Sequence, residues 1–127
     1  MKYLIDTQIL IWLFISPNKI PSNIQNLLKN LDNEIYVSKV SIWEIAIKVS
    51  IGKLIIPFEI KKLIFEIKEM NIKILNIKNQ HLIKVTDLPF HHKDPFDRLI
   101  ISQAFIDRIT IISSDNNFSK YNVKVLW

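Results

Sequence analysis

Short apolar runs alternating with helix-forming segments set the narrowest limit on what this chain can become. The runs stand at residues 3–5, 34–38, 72–75, 109–113 and 123–126. Between them, apolar periodicity and capping residues predict helices over 8–14, 22–31, 40–51, 58–70, 78–86 and from 95 to about 107. Strands that are short and apolar, each followed by a helix, predict an α/β fold with a mostly parallel sheet covered by helices on both faces.

Punctuation supports that order. Pro17 and Pro21 break the chain before the second helix, which sets Ile24, Leu27, Leu28 and Leu31 on one side. Gly52 ends the helix over 40–51, and Pro57 precedes the one over 58–70. In the latter, Ile60, Leu63, Ile64 and Ile67 face inward, while Lys61, Lys62, Glu66, Lys68 and Glu69 face out. No repeat, linker or low-complexity tract interrupts the 127 residues, so a single domain over 1–127 is expected.

Two counts remove whole classes of function. One glycine leaves no Gly-rich phosphate loop, and no cysteine leaves neither disulfides nor thiolate metal sites. The net charge of +5 favours a polyanionic partner, nucleic acid first, although Lys and Asn enrichment from biased codon usage accounts for it equally well. The apolar run 9–15 is too short to span a bilayer. The N-terminal stretch 1–15 is no signal peptide either, since Asp6 and Gln8 interrupt it and no small-residue cleavage site follows, so a cytoplasmic protein with no membrane association is expected.

Acidic residues recur where the predicted strands end. Asp6 follows the first strand and Asp115 the fourth. In open α/β sheets, sites collect outside the carboxyl ends of the strands. Asp94 is a natural N-cap, with Pro95 at the first helical position and Asp97 in the first turn. Helical spacing puts Asp97 on a stripe with Ile101 and Ala104, so its carboxylate extends an apolar face past the sheet edge. Glu44 lies within a helix that is apolar nearly all round and needs a partner there: Lys48, four residues on, or a metal ion. Capping alone accounts for an Asp at position 6, but not for acids at the other ends.

Two like charges about 4 Å apart repel by roughly 4 kcal/mol at an effective dielectric near 20. If the strands are parallel neighbours, all four carboxylates converge at one sheet edge and need a counter-charge, and oxygen donors fit a hard divalent cation, Mg²⁺ or Mn²⁺. Such an ion polarises a phosphoryl oxygen and activates water, so acids and basic surface together point to a metal-dependent phosphodiesterase acting on nucleic acid. Arg98, Lys48 and Lys93 are candidates for steadying phosphate or acids. His91 and His92 could touch phosphate, and His81 is assigned no role. Trp12, Phe14 and Trp43 could anchor a partner, although core packing is the commoner fate of large aromatics.

In this setting the chain resembles PIN-domain proteins, specifically the VapC-type toxins of bacterial toxin–antitoxin pairs. The resemblance rests on Tyr3-Leu4-Ile5-Asp6-Thr7, on residues 41–48 around Glu44, on the stretch 91–104 with its His-His-Lys-Asp-Pro-Phe-Asp-Arg, on residues 113–118 and on residues 121–127. It implies a Rossmann-like three-layer α/β/α sandwich and a Mg²⁺-dependent endoribonuclease, in which a metal-activated water attacks an RNA phosphodiester. It also implies a cognate antitoxin that blocks the site, and a homodimer. The family's acidic positions fall on Asp6, Glu44, Asp97 and Asp115, as metal ligands and catalytic groups. Thr7, Asp94 and Ser113 match supporting positions. Gln8 stands where many relatives have His. A catalytically inactive PIN-fold module that binds RNA or protein is the alternative. A phospho-acceptor receiver domain would need an acidic pair after the first strand, which Asp6-Thr7 does not supply.

Overall fold

The computed structural model describes residues 1–127 and contains one five-stranded sheet. Its strands are β1 (Lys2–Ile5), β2 (Glu34–Ser38), β3 (Ile72–Leu75), β4 (Thr110–Ile112) and β5 (Val125–Leu126). The order is β3-β2-β1-β4-β5, and every neighbouring pair is parallel. Six helices connect them: α1 (Thr7–Ile15), α2 (Ser22–Lys29), α3 (Lys39–Ser50), α4 (Ile60–Glu69), α5 (Asn79–Asp87) and α6 (Pro95–Asp107). This is the three-layer α/β/α arrangement expected from the alternating runs.

Successive strand side chains point to opposite faces, and here both faces are apolar. Ile5, Ile35, Val37 and Ile112 pack against Ile9 and Leu10 of α1, Ile24 of α2, Ile45 of α3, and Leu63 and Ile67 of α4. Leu4 and Ile111 pack the other way, against Ile100, Ile101 and Ala104 of α6 and against Phe118 and Tyr121. Two cores share one sheet, which is why the strands carry so little polar sequence.

Several ends differ from expectation. α2 stops at Lys29, because side chains take over the turn: Asn30 Oδ1 accepts from the Asp32 N–H at 2.9 Å, and Asn33 Nδ2 donates to the Leu27 carbonyl at 3.0 Å. Leu31, expected on the apolar side, is 86% exposed. α4 begins at Ile60, leaving Phe58 ahead of it, edge-on to Phe14 with ring centroids 5.7 Å apart. The last strand is reduced to two residues. No helix is long and apolar enough to cross a membrane.

The strand order determines where a site can form. From central β1 the chain steps outward through β2 to β3, then returns to the other side of β1 to lay down β4 and β5. Connections leaving β1 and β4 therefore diverge, and a crevice opens beyond the carboxyl ends of these two strands.

Candidate active site

Asp6 leaves β1 at that crevice. Its extended backbone (φ −78°, ψ 175°) turns the chain into α1, and its Oδ1 accepts from the Ile9 N–H at 2.9 Å. Pairing of Ile5 with Ile112 sets residue 6 beside residue 113, and the Ser113 hydroxyl donates to Asp6 Oδ2. The same hydroxyl accepts from the Asp115 N–H at 3.0 Å, while Asp115 Oδ1 accepts from the Asn117 N–H at 2.9 Å. One serine thus ties the acid after β1 to the acid after β4.

α3 starts directly from β2, capped by Ser38 Oγ on the Val40 N–H at 3.0 Å, and packs against α1, α4 and α6. It carries Glu44 into the same crevice, 6% exposed. Glu44 Oε2 pairs with Lys48 Nζ at 2.8 Å, but Oε1 is buried with no hydrogen-bond partner. Thr7 Oγ1 donates to Ser41 Oγ at 2.9 Å and holds α1 against α3.

α6 brings the fourth acid. Asp94 Oδ1 accepts from the N–H groups of Phe96 and Asp97 at 2.9 and 3.1 Å, with Pro95 at the first helical position. Asp97 Oδ2 lies 3.2 Å from His92 Nε2. One cleft of about 240 Å³ is lined by Asp6, Glu44, Asp97 and Asp115, with Thr7, Gln8, Lys48 and Asp94 also on its walls. A more apolar cavity of about 390 Å³ lies near the amino ends of β2 and β3; no carboxylate lines it, so the chemistry belongs to the acidic cleft.

Charge is concentrated there. Five carboxylates face one ammonium, that of Lys48. Burial, then the neighbouring charges of Asp94, Asp6, Glu44 and Asp115, push Asp97 up to about 8. Burial also raises Asp6, to about 6, with Asp115 and Glu44 adding to the rise and the bonds from Ser113 and Ile9 opposing it.

A divalent cation fits these residues. The donors are all carboxylate oxygens, Glu44 Oε1 is an orphan, and five carboxylates share one ammonium. As the side chains stand, no group of three or more acidic or histidine residues is arranged to hold a metal ion. Mg²⁺ keeps several waters and is commonly bound through one or two carboxylates, so it does not require such a group.

The structure thus gathers Asp6, Thr7, Glu44, Lys48, Asp94, Asp97 and Asp115 in one cleft, with Ser113 bonded to two of them. Arg98 is a correction. Its guanidinium points away from the cleft, donating to the carbonyl of Pro89 at 2.8 Å, of Leu88 at 3.3 Å and to the Tyr121 hydroxyl at 3.2 Å. Consecutive helical residues stand about 100° apart, so Arg98 cannot share the direction of Asp97. His92, one of two loop histidines within the motif, is bonded to Asp97. Its other partner is Tyr121, 29 residues on, and no local pattern announces that contact. His81 is fully buried and joins α5 to α6 through Asp107, Nε2 to Oδ2 at 3.2 Å. Of the large aromatics, Trp12 and Phe14 pack against the first core, while Trp43 is exposed and edge-on to Phe96.

Known proteins resemble this chain along its whole length. The profile of a family described as PIN domain matches residues 3–124. No functionally curated protein matches the sequence. Among solved structures, VapBC2 from Rickettsia felis bound to a promoter DNA fragment contains a similar chain, at TM-score 0.72 and 20% identity, with 99% of this chain and 98% of that one covered. VapBC-1 from nontypeable Haemophilus influenzae gives TM-score 0.72 at 16% identity, covering 99% and 97%. A toxin–antitoxin complex from Klebsiella pneumoniae gives 0.66 at 18%, covering 98% and 96%. At these identities the likeness is one of fold.

Proposed function

The chain belongs to the PIN domain family, and we propose that it is a divalent-metal-dependent endoribonuclease, the VapC-type toxin of a toxin–antitoxin pair. The carrying observation is the cleft, in which Asp6, Glu44, Asp97 and Asp115 meet with a single ammonium and an orphaned Glu44 oxygen. These four residues would hold Mg²⁺ or Mn²⁺. When bound, such an ion supplies Lewis-acid polarisation of a phosphoryl oxygen and lowers the pKa of water.

The protein's own groups do the rest. Ser113 orients Asp6 and Asp115, and Asp94 fixes the turn that presents Asp97. Glu44 has one oxygen on Lys48 and the other buried without a partner, and would serve as a metal ligand or as the base that orients the attacking water. Lys48 and the net charge of +5 favour an RNA backbone over a neutral substrate. The toxin role draws on the similar Klebsiella chain, which is part of a toxin–antitoxin complex. A cognate antitoxin covering the cleft, with the exposed Trp43 as a candidate anchor for it, a homodimer, and work in the cytoplasm complete the proposal.

The test is cleavage of RNA by the purified protein in Mg²⁺ or Mn²⁺, read by gel and by end-group analysis. Cleavage leaving 5′-phosphates, abolished by EDTA and by Asp6→Asn or Asp97→Asn, is expected. Cleavage that survives either substitution, or survives EDTA, overturns it.

A further inference from the structure

Three of the four acids are held by neighbours close in sequence or by the paired strand, whereas Asp97 Oδ2 is held by a loop residue, His92. The His92 ring is itself held at its other nitrogen, Nδ1, by the Tyr121 hydroxyl at 2.8 Å. That hydroxyl has four polar neighbours: Arg98 Nη1 at 3.2 Å, the His92 N–H at 3.3 Å, His92 Nδ1 at 2.8 Å and the His92 carbonyl at 3.5 Å.

Hydrogen-bond roles decide the direction of the whole chain. A guanidinium and a backbone N–H can only donate. Together they fill both lone pairs of the phenolic oxygen. Its single proton then goes to the nearer acceptor, Nδ1, not to the carbonyl. With Nδ1 accepting, neutral imidazole carries its proton on Nε2, which faces Asp97 Oδ2 at 3.2 Å. The permanently charged Arg98, anchored on the Pro89 and Leu88 carbonyls, starts this sequence of donors at one end; Asp97 receives it at the other. Both Tyr121 and Arg98 are buried, so water does not compete for these bonds.

We propose that His92 is a positioning residue for the acidic cleft: locked by Tyr121 in its Nε2–H tautomer, it donates to Asp97 and fixes the orientation in which that carboxylate meets a divalent cation. This rests on the metal-binding reading of the cleft. Partners that orient a ligand from behind are worth on the order of 10–100-fold in metal affinity.

The first experiment is ¹⁵N–¹H correlation of the imidazoles in the metal-free protein. Protonated Nε2 with unprotonated Nδ1 at His92 is expected; the opposite tautomer overturns the proposal. The second is Mn²⁺ affinity by calorimetry. His92→Phe keeps a ring and removes both nitrogens, and should weaken Mn²⁺ binding by on the order of 10-fold. His92→Gln places an amide N–H near the position of Nε2 and should recover most of the loss. A purely structural histidine would lower the melting temperature of the metal-free variants while leaving Mn²⁺ affinity unchanged, and that result also overturns the proposal. RNA cleavage separates the two readings. A parent protein that binds Mn²⁺ and shows the expected tautomer, but cleaves no RNA, sinks the nuclease and leaves the positioning role intact. A parent that cleaves RNA while His92→Phe binds Mn²⁺ with undiminished affinity does the reverse.

Discussion

Glu44 sits on a nearly apolar helix with one carboxylate oxygen on Lys48 and the other bound to nothing. Replacing it with Gln keeps the shape and removes one negative charge from a crowded cleft. The pair it gives up involves a half-exposed lysine and contributes only about 0–1 kcal/mol. Glu44→Gln should therefore melt higher than the parent in EDTA, yet cleave RNA slower by on the order of 10²-fold or more. A variant that melts lower and cleaves normally would mean that Glu44 serves the fold alone. Ser113→Ala acts in the opposite sense. It strips Asp6 of a charge-assisted bond and the Asp115 N–H of its acceptor, so chemical denaturation should show a loss of about 1.5–3 kcal/mol. Asp6, Asp97 and Asp115 could be picked out from the sequence because strand ends and helix starts are written in adjacent residues, and Glu44 because it is a carboxylate within a nearly apolar helix. The histidine behind Asp97 could not, since its role depends on a tyrosine that only tertiary folding brings near. Arg98 is adjacent to Asp97 in sequence but stands about 100° from it around the helix, so adjacency alone does not bring it to the cleft.

Among the elements, α6 depends most visibly on its first residues. Asp94 does two things there: it caps the helix through Oδ1, and its charge helps to raise Asp97. Two substitutions separate them. Asp94→Asn keeps an acceptor at the N-cap and removes the charge, so stability should hold within a few tenths of a kcal/mol, while Asp97 ionises at lower pH than in the parent. Asp94→Ala removes both and should cost about 1 kcal/mol of stability, read by urea denaturation. Equal stability of the two variants would show that the cap is dispensable. The same local chemistry explains which element ends were legible. Asp94-Pro95 announces α6, and Ser38 announces α3, where the helix follows its strand without a loop. The end of α2 was not legible, because Asn30 and Asn33 compete for the backbone with their own side chains, and apolar spacing carried the expected helix on to Leu31. The shortened β5 has a similar origin: residues 123–124 have strand-like composition, but the ladder with β4 pairs only Val125 and Leu126.

For the molecule as a whole, the order β3-β2-β1-β4-β5 turns scattered acids into a site, and this long-range neighbourhood of β1 and β4 is what alternating runs suggest without specifying. A net charge of +5 surrounds a cleft whose own walls are acidic, so the fold itself works against the full ionisation of its site. Asp97, raised to about 8, and Asp6, raised to about 6, both bind protons more tightly in the native protein than in the unfolded chain, where the ordinary value is 3.8. Raised carboxylates stabilise fully below the unfolded value, and that stability is lost as pH climbs through about 6 for Asp6 and about 8 for Asp97. In EDTA, the melting temperature should thus fall as pH rises across this window. A divalent cation takes the ionised carboxylates and must displace the protons to bind. Its stabilising effect should therefore be largest above about 8 and shrink as pH drops toward about 6. Thermal melts with and without Mn²⁺ across that range measure both slopes at once. If the metal-free melting temperature rises with pH, or if the Mn²⁺ increment is the same at every pH, then the carboxylates are not crowded as the cleft requires, and the counter-charge that motivates the nuclease reading has nothing to neutralise.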